Sequence, residues 1–299
     1  MNRVLVIGNA TVDLILSLPH LPAPGETVLA ETGFRCAGGK GLNQAVAAAR
    51  LGVPTTLVAP IGEDADGRFL REALRSEPVE AGWLASPHAT DLSIISIAAG
   101  GENAIVSTAA SARWLPSQAA VAAASSLGAG DILILQGNLT ETTTRAALRT
   151  ARAREARVIL NTAPIAWDQR GLAFEADIVV ANAGEAEFLT GFVDEAAALS
   201  LIEAGASAAI VTRGANDTLL ADRSRLVHLP IATVDVVDTS GAGDVTVGTL
   251  AGALALGRSL PDALALALAA ASLSVTRRGT TPSFPTADEL GRLTARFSR

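Results

Sequence analysis

The chain has 299 residues and a formal net charge of −7, and this acidic balance argues against the basic patch by which proteins bind nucleic acid. Its most apolar run, residues 263–276, is shorter than the roughly 20 residues that a helix needs to span a bilayer, so we expect no membrane partner. The single cysteine, Cys36, excludes an internal disulfide and, with no signal-peptide pattern at the N-terminus, favours a cytoplasmic protein.

Short apolar runs typical of strands alternate along the chain with alanine-rich runs typical of helices. The strand-like runs are residues 4–7, 56–61, 132–135, 158–160, 178–181 and 208–211, and helical runs between them include 43–51, 67–75, 142–155 and 195–204. Apolar strands followed by helices indicate βαβ units, in which a parallel sheet is covered on both faces. The sequence therefore predicts an α/β fold.

Two segments break this alternation and are predicted to form hairpins. Residues 12–18 and 28–34 are strand-like and are joined through prolines and Gly25. Residues 92–98 and 104–107 are paired in the same way across residues 99–102. The two hairpins together are expected to form a small antiparallel flap beside the main sheet.

The first glycine-rich segment, residues 38–43, contains the only lysine of the chain. Of the 23 lysines and arginines, Lys40 is the one lysine and the other 22 are arginines. Glycine lets a backbone approach a ligand closely, and an ammonium is a compact point charge. The segment therefore indicates an anionic or hydroxyl-rich ligand, and the alternative is a surface lysine in a flexible turn.

Two shorter segments follow strand ends, where α/β folds place ligand groups. Asn182 and Glu185 follow residues 178–181, and they fit either a ligand site or the capping box of the next helix. Thr212 and Gly214 follow residues 208–211 and by themselves indicate only a turn.

The second glycine-rich segment, residues 238–244 (DTSGAGD), lies between the strand-like residues 232–237 and the helical residues 245–256. A turn of small residues before a helix is the geometry of an anion site, because free N–H groups converge there with the positive end of the helix dipole. Asp244 fits a helix-capping acid. It also fits a base that takes the proton of an attacking hydroxyl while the N–H groups hold the developing charge.

With these motifs the chain resembles the ribokinase-like, PfkB-type carbohydrate kinases over nearly its whole length. Residues 38–51 (GGKGLNQAVAAARL) and 237–248 (VDTSGAGDVTVG) are similar to the two signatures of the family. Asn182-x-x-Glu185 matches its magnesium–phosphate motif, and residues 276–283 (TRRGTTPS) resemble the segment that helps to bind a monovalent cation.

The resemblance implies the ribokinase-like three-layer α/β fold, with a central, mainly parallel sheet between helices and a small antiparallel β lid. The nucleotide- and sugar-binding core would comprise residues 1–11, 37–90 and 109–299, and the lid residues 12–36 and 91–108. In ribokinase such lids pair between subunits, so the resemblance also implies a homodimer.

The resemblance further implies transfer of a phosphoryl group from ATP to a sugar hydroxyl, with Mg²⁺ and K⁺ as cofactors. Asp244 would be the general base, and the amides of Gly241, Ala242, Gly243 and Asp244 would form the anion hole. The sugar would be held by Asp13, Gly39, Lys40 and Asn43, and by the residue at position 138. Phosphate, magnesium and nucleotide would be bound by Asn182, Glu185, Thr212 and Gly214, with Gly241 and Gly243. The monovalent cation would be bound, partly through backbone carbonyls, by Asp238, Ser240, Ser274, Arg277, Gly279 and Ser283.

Three departures concern the sugar pocket rather than the reaction machinery. Asn138 stands where ribokinases usually carry a glutamate that contacts ribose, and Thr11 stands in place of an asparagine. Residues 109–112 replace the usual glycine-alanine-asparagine. We therefore expect a substrate other than ribose.

The alternatives to a simple sugar kinase are a ketose or 2-keto-3-deoxy sugar acid kinase, a nucleoside kinase, and a non-catalytic sugar-binding protein of the same fold. Aromatic residues are only 3% of the chain, which disfavours stacking of a nucleoside base. A non-catalytic protein is expected to have lost Asp244 or its anion hole, and both are present.

Overall fold

The computed structural model describes residues 1–100, 102–173 and 175–297. Residue 101 in the predicted turn 99–102, and residues 174, 298 and 299 in the predicted core, lie outside the described residues. The described strands are β1 (Val4–Ile7), β2 (Thr11–Leu18), β3 (Thr32–Gly38), β4 (Thr55–Gly62), β5 (Val79–Ser86), β6 (Asp91–Ala98), β7 (Asn103–Ser107), β8 (Ile132–Gln136), β9 (Arg157–Asn161), β10 (Ile178–Asn182), β11 (Ala208–Thr212), β12 (Thr218–Asp222) and β13 (Leu226–Leu229).

The helices cover most of the alanine-rich runs between these strands. They are α1 (Lys40–Ala49), α2 (Ala65–Leu74), α3 (Ala110–Trp114), α4 (Ser117–Ala124), α5 (Glu141–Ala153), α6 (Arg170–Ala173), α7 (Ala183–Thr190), α8 (Asp194–Glu203), α9 (Ala242–Ala255), α10 (Leu260–Ser274) and α11 (Ala287–Arg296), with a 3₁₀ helix at Thr281–Ser283. The predicted helices at 43–51, 67–75, 142–155, 195–204, 245–256 and 263–276 correspond to α1, α2, α5, α8, α9 and α10. None of the helices in the described ranges is long and apolar enough to cross a membrane.

Nine strands form the main sheet, in the order β13-β12-β11-β10-β9-β8-β1-β4-β5. All neighbours from β11 to β5 are parallel, and β12 and β13 add an antiparallel edge. The six predicted strands are all present in this sheet. Strands β5, β12 and β13 were not predicted. Polar residues or glycine interrupt the apolar runs of β5 and β13, whereas β12 contains the apolar residues 219–221, a run as long as that of β9, which the prediction missed.

Successive residues of the central strands pack into two separate cores, which confirms the three-layer arrangement. Val4 and Val6 of β1 pack into a core with α1, α9 and α10, whereas Leu5 and Ile7 pack into a core with α4, α5, α7 and α8. This division follows from the two-residue period of a strand, which sends alternate side chains to opposite faces. Each face of the sheet is therefore covered by helices.

The predicted strand at residues 232–237 is wrong. These residues have no regular structure, and β13 at the edge of the sheet has already ended at Leu229. The apolar side chains Ile231, Val234 and Val236 line a cavity instead of packing in a sheet. Val236 and Val237 are 59% and 44% exposed, so the apolar run lines an open cavity here, and the strand interpretation failed because the segment has no strand partner.

A second sheet of four strands has the order β3-β2-β6-β7. Its two antiparallel pairs, β2 with β3 and β6 with β7, join through a parallel pair of β2 with β6. The first hairpin differs from the prediction, because its second strand begins at Thr32 rather than at residue 28 and continues to Gly38. Pairing of Gly38 with Thr11 extends the strand up to α1, while Leu29 is left exposed on the surface.

Candidate active site

Asp244 lies at the meeting point of the two glycine-rich segments. It is the third residue of α9 and is only 5% exposed. Its carboxylate accepts hydrogen bonds from Asn43 Nδ2 and Gln44 Nε2, both at 2.9 Å, and Lys40 Nζ lies 3.9 Å from Oδ1. The N-cap position belongs to Gly241, which has no side chain to cap the helix, and the Asp244 carboxylate bonds to α1 instead. The geometry therefore favours a role for Asp244 beyond capping.

The N-terminus of α9 has the geometry of an anion site. Gly241 has a φ of 78°, and a Cβ there would lie 2.7 Å from Phe284 Cε1, so the turn requires glycine. Ala242 N, which was predicted to belong to the anion hole, is already engaged, because it donates to Thr239 O at 3.2 Å. Val245 N donates to Gly241 O. The N–H groups of Gly243 and Asp244, between these two, have no acceptor among the described residues. They are available to a bound anion at the positive end of the helix dipole.

Gly39 makes the corresponding turn before α1. Its φ is 91°, and a Cβ there would lie 2.8 Å from Thr11 N. This turn starts α1 immediately at Lys40 and brings Lys40, Asn43 and Gln44 to the side facing Asp244. The backbone of the first segment therefore positions the side chains that hold the carboxylate.

Two glutamines extend this network to the central sheet, and neither was predicted from the sequence to be a site residue. Gln44 Oε1 accepts a hydrogen bond from Gln136 Nε2 at 2.8 Å, and Gln136 is the last residue of β8. Both glutamines are buried, and Gln136 Oε1 has no partner in the described ranges. In the sequence, Gln136 is an amide at the end of an apolar strand and Gln44 is an amide in an alanine-rich helix. Neither pattern indicates that the two side chains form a pair.

Asp13 is a second buried carboxylate, at 3% exposure. Its Oδ1 accepts a hydrogen bond from Thr11 Oγ1 at 2.7 Å, and its Oδ2 accepts one from Thr280 Oγ1 at 3.0 Å. Burial raises the pKa of Asp13 to about 6; the threonine hydroxyls oppose this rise, and the nearby charge of Asp244 adds to it. Asp13 was predicted from the sequence, but Thr280, which is 267 residues away along the chain, was not.

A cavity of about 560 Å³ connects Lys40 and Asp244 with Thr212 and Gly214. Such a volume is typical of small-molecule sites, which range from about 300 to 1,000 Å³. The cavity lies along the carboxyl ends of β9, β10 and β11, where Asn161, Asn182 and Thr212 are the last residues. Because β9 and β11 are two strand spacings apart, this part of the cavity spans roughly 10 Å.

The cavity contains only part of the predicted site. Of the predicted residues, those that line it are Lys40, Asn182, Glu185, Thr212, Gly214, Ser240, Gly241, Ala242, Gly243 and Asp244. Asp13, Gly39, Asn43 and Asn138 are not among its lining residues; Asn43 joins it only through its bond to Asp244. Asn103 and Ile105 of β7, which were not predicted, line it from the second sheet.

Asn182 and Glu185 cap a helix and also lie at the cavity wall. They form the capping box of α7: Glu185 N donates to Asn182 Oδ1 at 2.9 Å, and Asn182 N donates to Glu185 Oε2 at 3.0 Å. Thr162 Oγ1 also donates to Glu185 Oε2, at 2.9 Å. Both residues nevertheless line the cavity, so the cap fixes a carboxylate at its wall.

Asp238 joins the two segments that were predicted to hold a monovalent cation. It is 4% exposed, and it accepts hydrogen bonds from Ser240 N and Gly279 N, both at 2.8 Å. Ser240 Oγ is buried and has no partner in the part of the chain that the structure describes. A buried carboxylate beside an unpaired hydroxyl oxygen fits the oxygen ligands that a hard cation requires.

The other predicted cation ligands differ in what they can offer. Ser274 Oγ donates to Ala271 O and Ser283 Oγ donates to Thr280 O, so both hydroxyl protons are already engaged. The Arg277 guanidinium pairs with Glu289 at 3.0 Å and 2.5 Å. Arg277 and Gly279 therefore contribute to such a site only through their backbone carbonyls. No group of three or more His, Cys, Asp or Glu side chains in the described residues could hold a metal by itself.

Comparison with known proteins places this geometry among carbohydrate kinases. The model of the pfkB family of carbohydrate kinases matches residues 1–287. The chain is 30% identical to a ribokinase of Haemophilus influenzae, over 95% of each chain, and 32% identical to a deoxyribokinase of Salmonella typhimurium, over 96% of each. The structure of ribokinase from Thermotoga maritima superposes with a TM-score of 0.88 at 29% identity, over 99% of this chain and 100% of that one. Arabidopsis thaliana ribokinase complexed with ribose and ATP superposes with a TM-score of 0.84 at 28% identity, over 98% and 99%.

Proposed function

The chain belongs to the pfkB family of carbohydrate kinases and is an ATP-dependent sugar kinase, and we propose that Asp244 is the general base of its reaction. The observation that carries this proposal is the position of the Asp244 carboxylate. It faces the same cavity as the free N–H groups at the start of α9. A sugar hydroxyl that bonds to this carboxylate loses its proton to it as the oxygen attacks the γ-phosphoryl group.

The surrounding residues hold Asp244 and the phosphoryl group in place. Asn43 and Gln44 fix both carboxylate oxygens, and the Lys40 ammonium lies 3.9 Å from one of them. The N–H groups of Gly243 and Asp244 donate to the phosphoryl oxygens, where charge is concentrated during transfer. Such positioning and charge stabilisation are the main contributions of a protein to phosphoryl transfer.

ATP is proposed to occupy the cavity along the carboxyl ends of β9–β11. Thr212, Gly214 and the apolar Ile231, Val234 and Val236 line the part that suits the nucleoside. Asn182 and Glu185 lie between this part and Asp244, where the phosphates would be placed. The arrangement supports the predicted nucleotide-binding roles of these residues.

Two cations fit the residues that are present. Glu185 and Asn182, partly through water, would hold Mg²⁺, whose charge neutralises that of the phosphates when it is bound. Asp238, Ser240 and carbonyls of Ser274, Arg277, Gly279 and Ser283 would hold K⁺ beside the turn that starts α9. The buried, unpaired Ser240 Oγ is the observation that supports this second site.

The sugar is proposed to lie between Lys40, Asp13 and Asp244, with Asn138 deciding which sugar is preferred. Asn138 is buried two residues after the end of β8, and its Oδ1 has no partner in the described residues. An amide accepts hydrogen bonds more weakly than a carboxylate, but it can also donate them. The substitution suits a sugar that presents an acceptor at this point, such as a keto, carboxylate or phosphate oxygen.

The test is to measure kcat/KM for ribose, deoxyribose, fructose, 2-keto-3-deoxygluconate and hexose phosphates. The reaction is followed by the release of ADP and by detection of the phosphorylated product. We expect sugar-dependent transfer with a sugar other than ribose giving the highest value. The variant Asn138→Glu is expected to shift the preference towards ribose. If ribose gives the highest value with the unmodified protein, the specificity inferred from Asn138 is wrong, whereas the kinase activity stands.

A further inference from the structure

The loop of residues 279–281 contacts two of the three buried carboxylates around the site, Asp238 and Asp13. Gly279 N donates to Asp238 Oδ2 at 2.8 Å, and the next residue, Thr280, donates through Oγ1 to Asp13 Oδ2 at 3.0 Å. Thr281 Oγ1 donates to Ala37 O at 2.9 Å, at the end of β3. One short loop thus joins the turn before α9 to the strands of the second sheet.

The Asp13 carboxylate is held by one hydroxyl on each oxygen. Thr11 bonds Oδ1, Thr280 bonds Oδ2, and all three side chains are buried. Two hydrogen bonds from opposite sides fix the plane of the carboxylate. The Ser93 hydroxyl is a third, weaker partner. Because the two carboxylate oxygens have four lone pairs between them, one remains free to accept a substrate hydroxyl.

The Thr280 hydroxyl is itself oriented towards Asp13. It has a single proton to donate, and the alternative acceptor, Ala37 O, is farther away at 3.3 Å. Cys36 Sγ lies 3.3 Å from Thr280 Oγ1 and can donate its own proton to that oxygen. This leaves the Thr280 proton for the charged acceptor, which forms the stronger bond.

We propose that Thr280 is a positioning residue for the sugar, because its hydroxyl holds the Asp13 carboxylate in the orientation that accepts the substrate hydroxyls. The inference rests on the proposed role of Asp13 in binding the sugar. Thr280 acts through Asp13 and does not itself need to contact the substrate.

Thr281 provides a matched control for the packing of the loop. It is the neighbouring residue, is also buried, and also bonds to the end of β3, but no carboxylate accepts its hydroxyl. Valine in place of threonine keeps the branched shape and removes only the hydroxyl. A packing role would therefore make the two threonines equivalent, whereas the proposed role separates them.

The pH profile supplies a second distinction. The groups that face Asp13 are Asp244 on α9, with Lys40 of α1 beside it, and the Cys36 thiol on β3. The Thr280 hydroxyl opposes the rise in the pKa of Asp13. Its removal is expected to raise this pKa further and to move the acid limb of kcat/KM for the sugar to higher pH.

The experiment measures the KM for the best sugar of the panel above, the KM for ATP and kcat. Thr280→Val is expected to raise the sugar KM about tenfold, as the loss of a hydrogen bond to a charged group implies, with kcat and the KM for ATP nearly unchanged. Thr280→Ser should restore the sugar KM, and Thr281→Val should leave it within about twofold of the unmodified protein. If Thr280→Val does not fold, Thr280→Ala is measured in its place with the same expectation.

Three results overturn the inference: an unchanged sugar KM in Thr280→Val, no rescue by Thr280→Ser, or an equal loss in Thr281→Val. The variant Asp13→Asn separates this failure from failure of the proposed function. If Asp13→Asn raises the sugar KM and Thr280→Val does not, only the role of Thr280 is wrong. If Asp13→Asn leaves the sugar KM unchanged, the proposed role of Asp13 is wrong and the role of Thr280 falls with it.

Discussion

At the scale of single residues, the two buried carboxylates of the site have different surroundings. Asp244 accepts two amide N–H groups and has Lys40 at 3.9 Å, whereas Asp13 accepts two hydroxyls, and no cation is among the causes that shift its pKa. Burial without a compensating cation disfavours the charged form of Asp13. Asp13 is therefore expected to gain a proton in mildly acidic solution.

This difference predicts the pH dependence of sugar binding. The raised pKa of Asp13, about 6, means that its carboxylate is ionised above this pH and becomes protonated as the pH falls through it. We expect kcat/KM for the sugar to fall by about tenfold per pH unit below the pKa, because a protonated carboxyl accepts hydroxyls poorly. Measurement between about pH 5 and pH 8 checks this, and Asp13→Asn should lose that limb. An identical acid limb in both proteins would contradict the assignment.

The sequence predicted these residues only where a local pattern marked them. Lys40 and Asp244 stand in glycine-rich segments, and the structure brings them together as expected. Gln44 and Thr280 were missed because an amide in a helix and a hydroxyl in a loop have no distinctive spacing. Their partners lie 200 and 267 residues away, so only the fold reveals them.

At the scale of elements, the start of α9 depends on a second segment of the chain. Asp238 bonds to Ser240 N on its own turn and to Gly279 N on the distant loop, which fixes the turn that carries the anion site. The sequence predicted the helix and its small-residue turn correctly. It failed at residues 232–237, since apolar side chains that line a cavity have the same composition as those of a strand.

This arrangement predicts that activity depends on potassium. K⁺ bound by Asp238 and Ser240 would stabilise the turn at Gly241, and we expect potassium to raise kcat when it replaces an equal concentration of a large organic cation. Asp238→Ala should abolish the response because it removes the charged ligand and both tethering bonds. Ser240→Ala, which keeps the tether and removes one oxygen, should weaken it. Equal rates with and without potassium would count against the site.

At the scale of the whole molecule, the second sheet reaches over the cavity of the first. Asn103 and Ile105 of β7 line the cavity, and Asn103 Nδ2 lies 3.5 Å from Thr239 Oγ1 of the turn before α9. The sequence predicted a parallel main sheet, because apolar runs alternate with helical runs. It also predicted a second sheet, because two segments interrupt this alternation. The parallel join of β2 with β6 was not predicted, because pairing between distant segments leaves no local pattern.

The second sheet also supports the prediction of a homodimer. Its residues Ile94 and Val106 lie opposite each other on one face of the sheet, and these apolar side chains are 38% and 72% exposed. Pairing of two such sheets would cover this surface. Light scattering is expected to give twice the 30.3 kDa mass of the chain, and Val106→Asp should reduce it to a single chain. A monomeric mass for the unmodified protein at micromolar concentration would show that the sheet does not pair.

The role of Asp244 as the base that activates the sugar hydroxyl is tested most directly with the variant Asp244→Asn. The measurement is the rate at which this variant transfers labelled γ-phosphate from ATP to the sugar. This variant keeps the shape of the side chain and removes its basicity, so kcat is expected to fall by roughly 10²–10⁴-fold with modest changes in KM. Asp262 is likewise the third residue of its helix, α10, and is exposed, so Asp262→Asn is the matched control for an acid that only stabilises a helix end. We expect the kcat of Asp262→Asn to stay close to that of the unmodified protein. Retention of more than about a third of kcat by Asp244→Asn would contradict the role of Asp244 as the base, because loss of a general base costs far more than threefold.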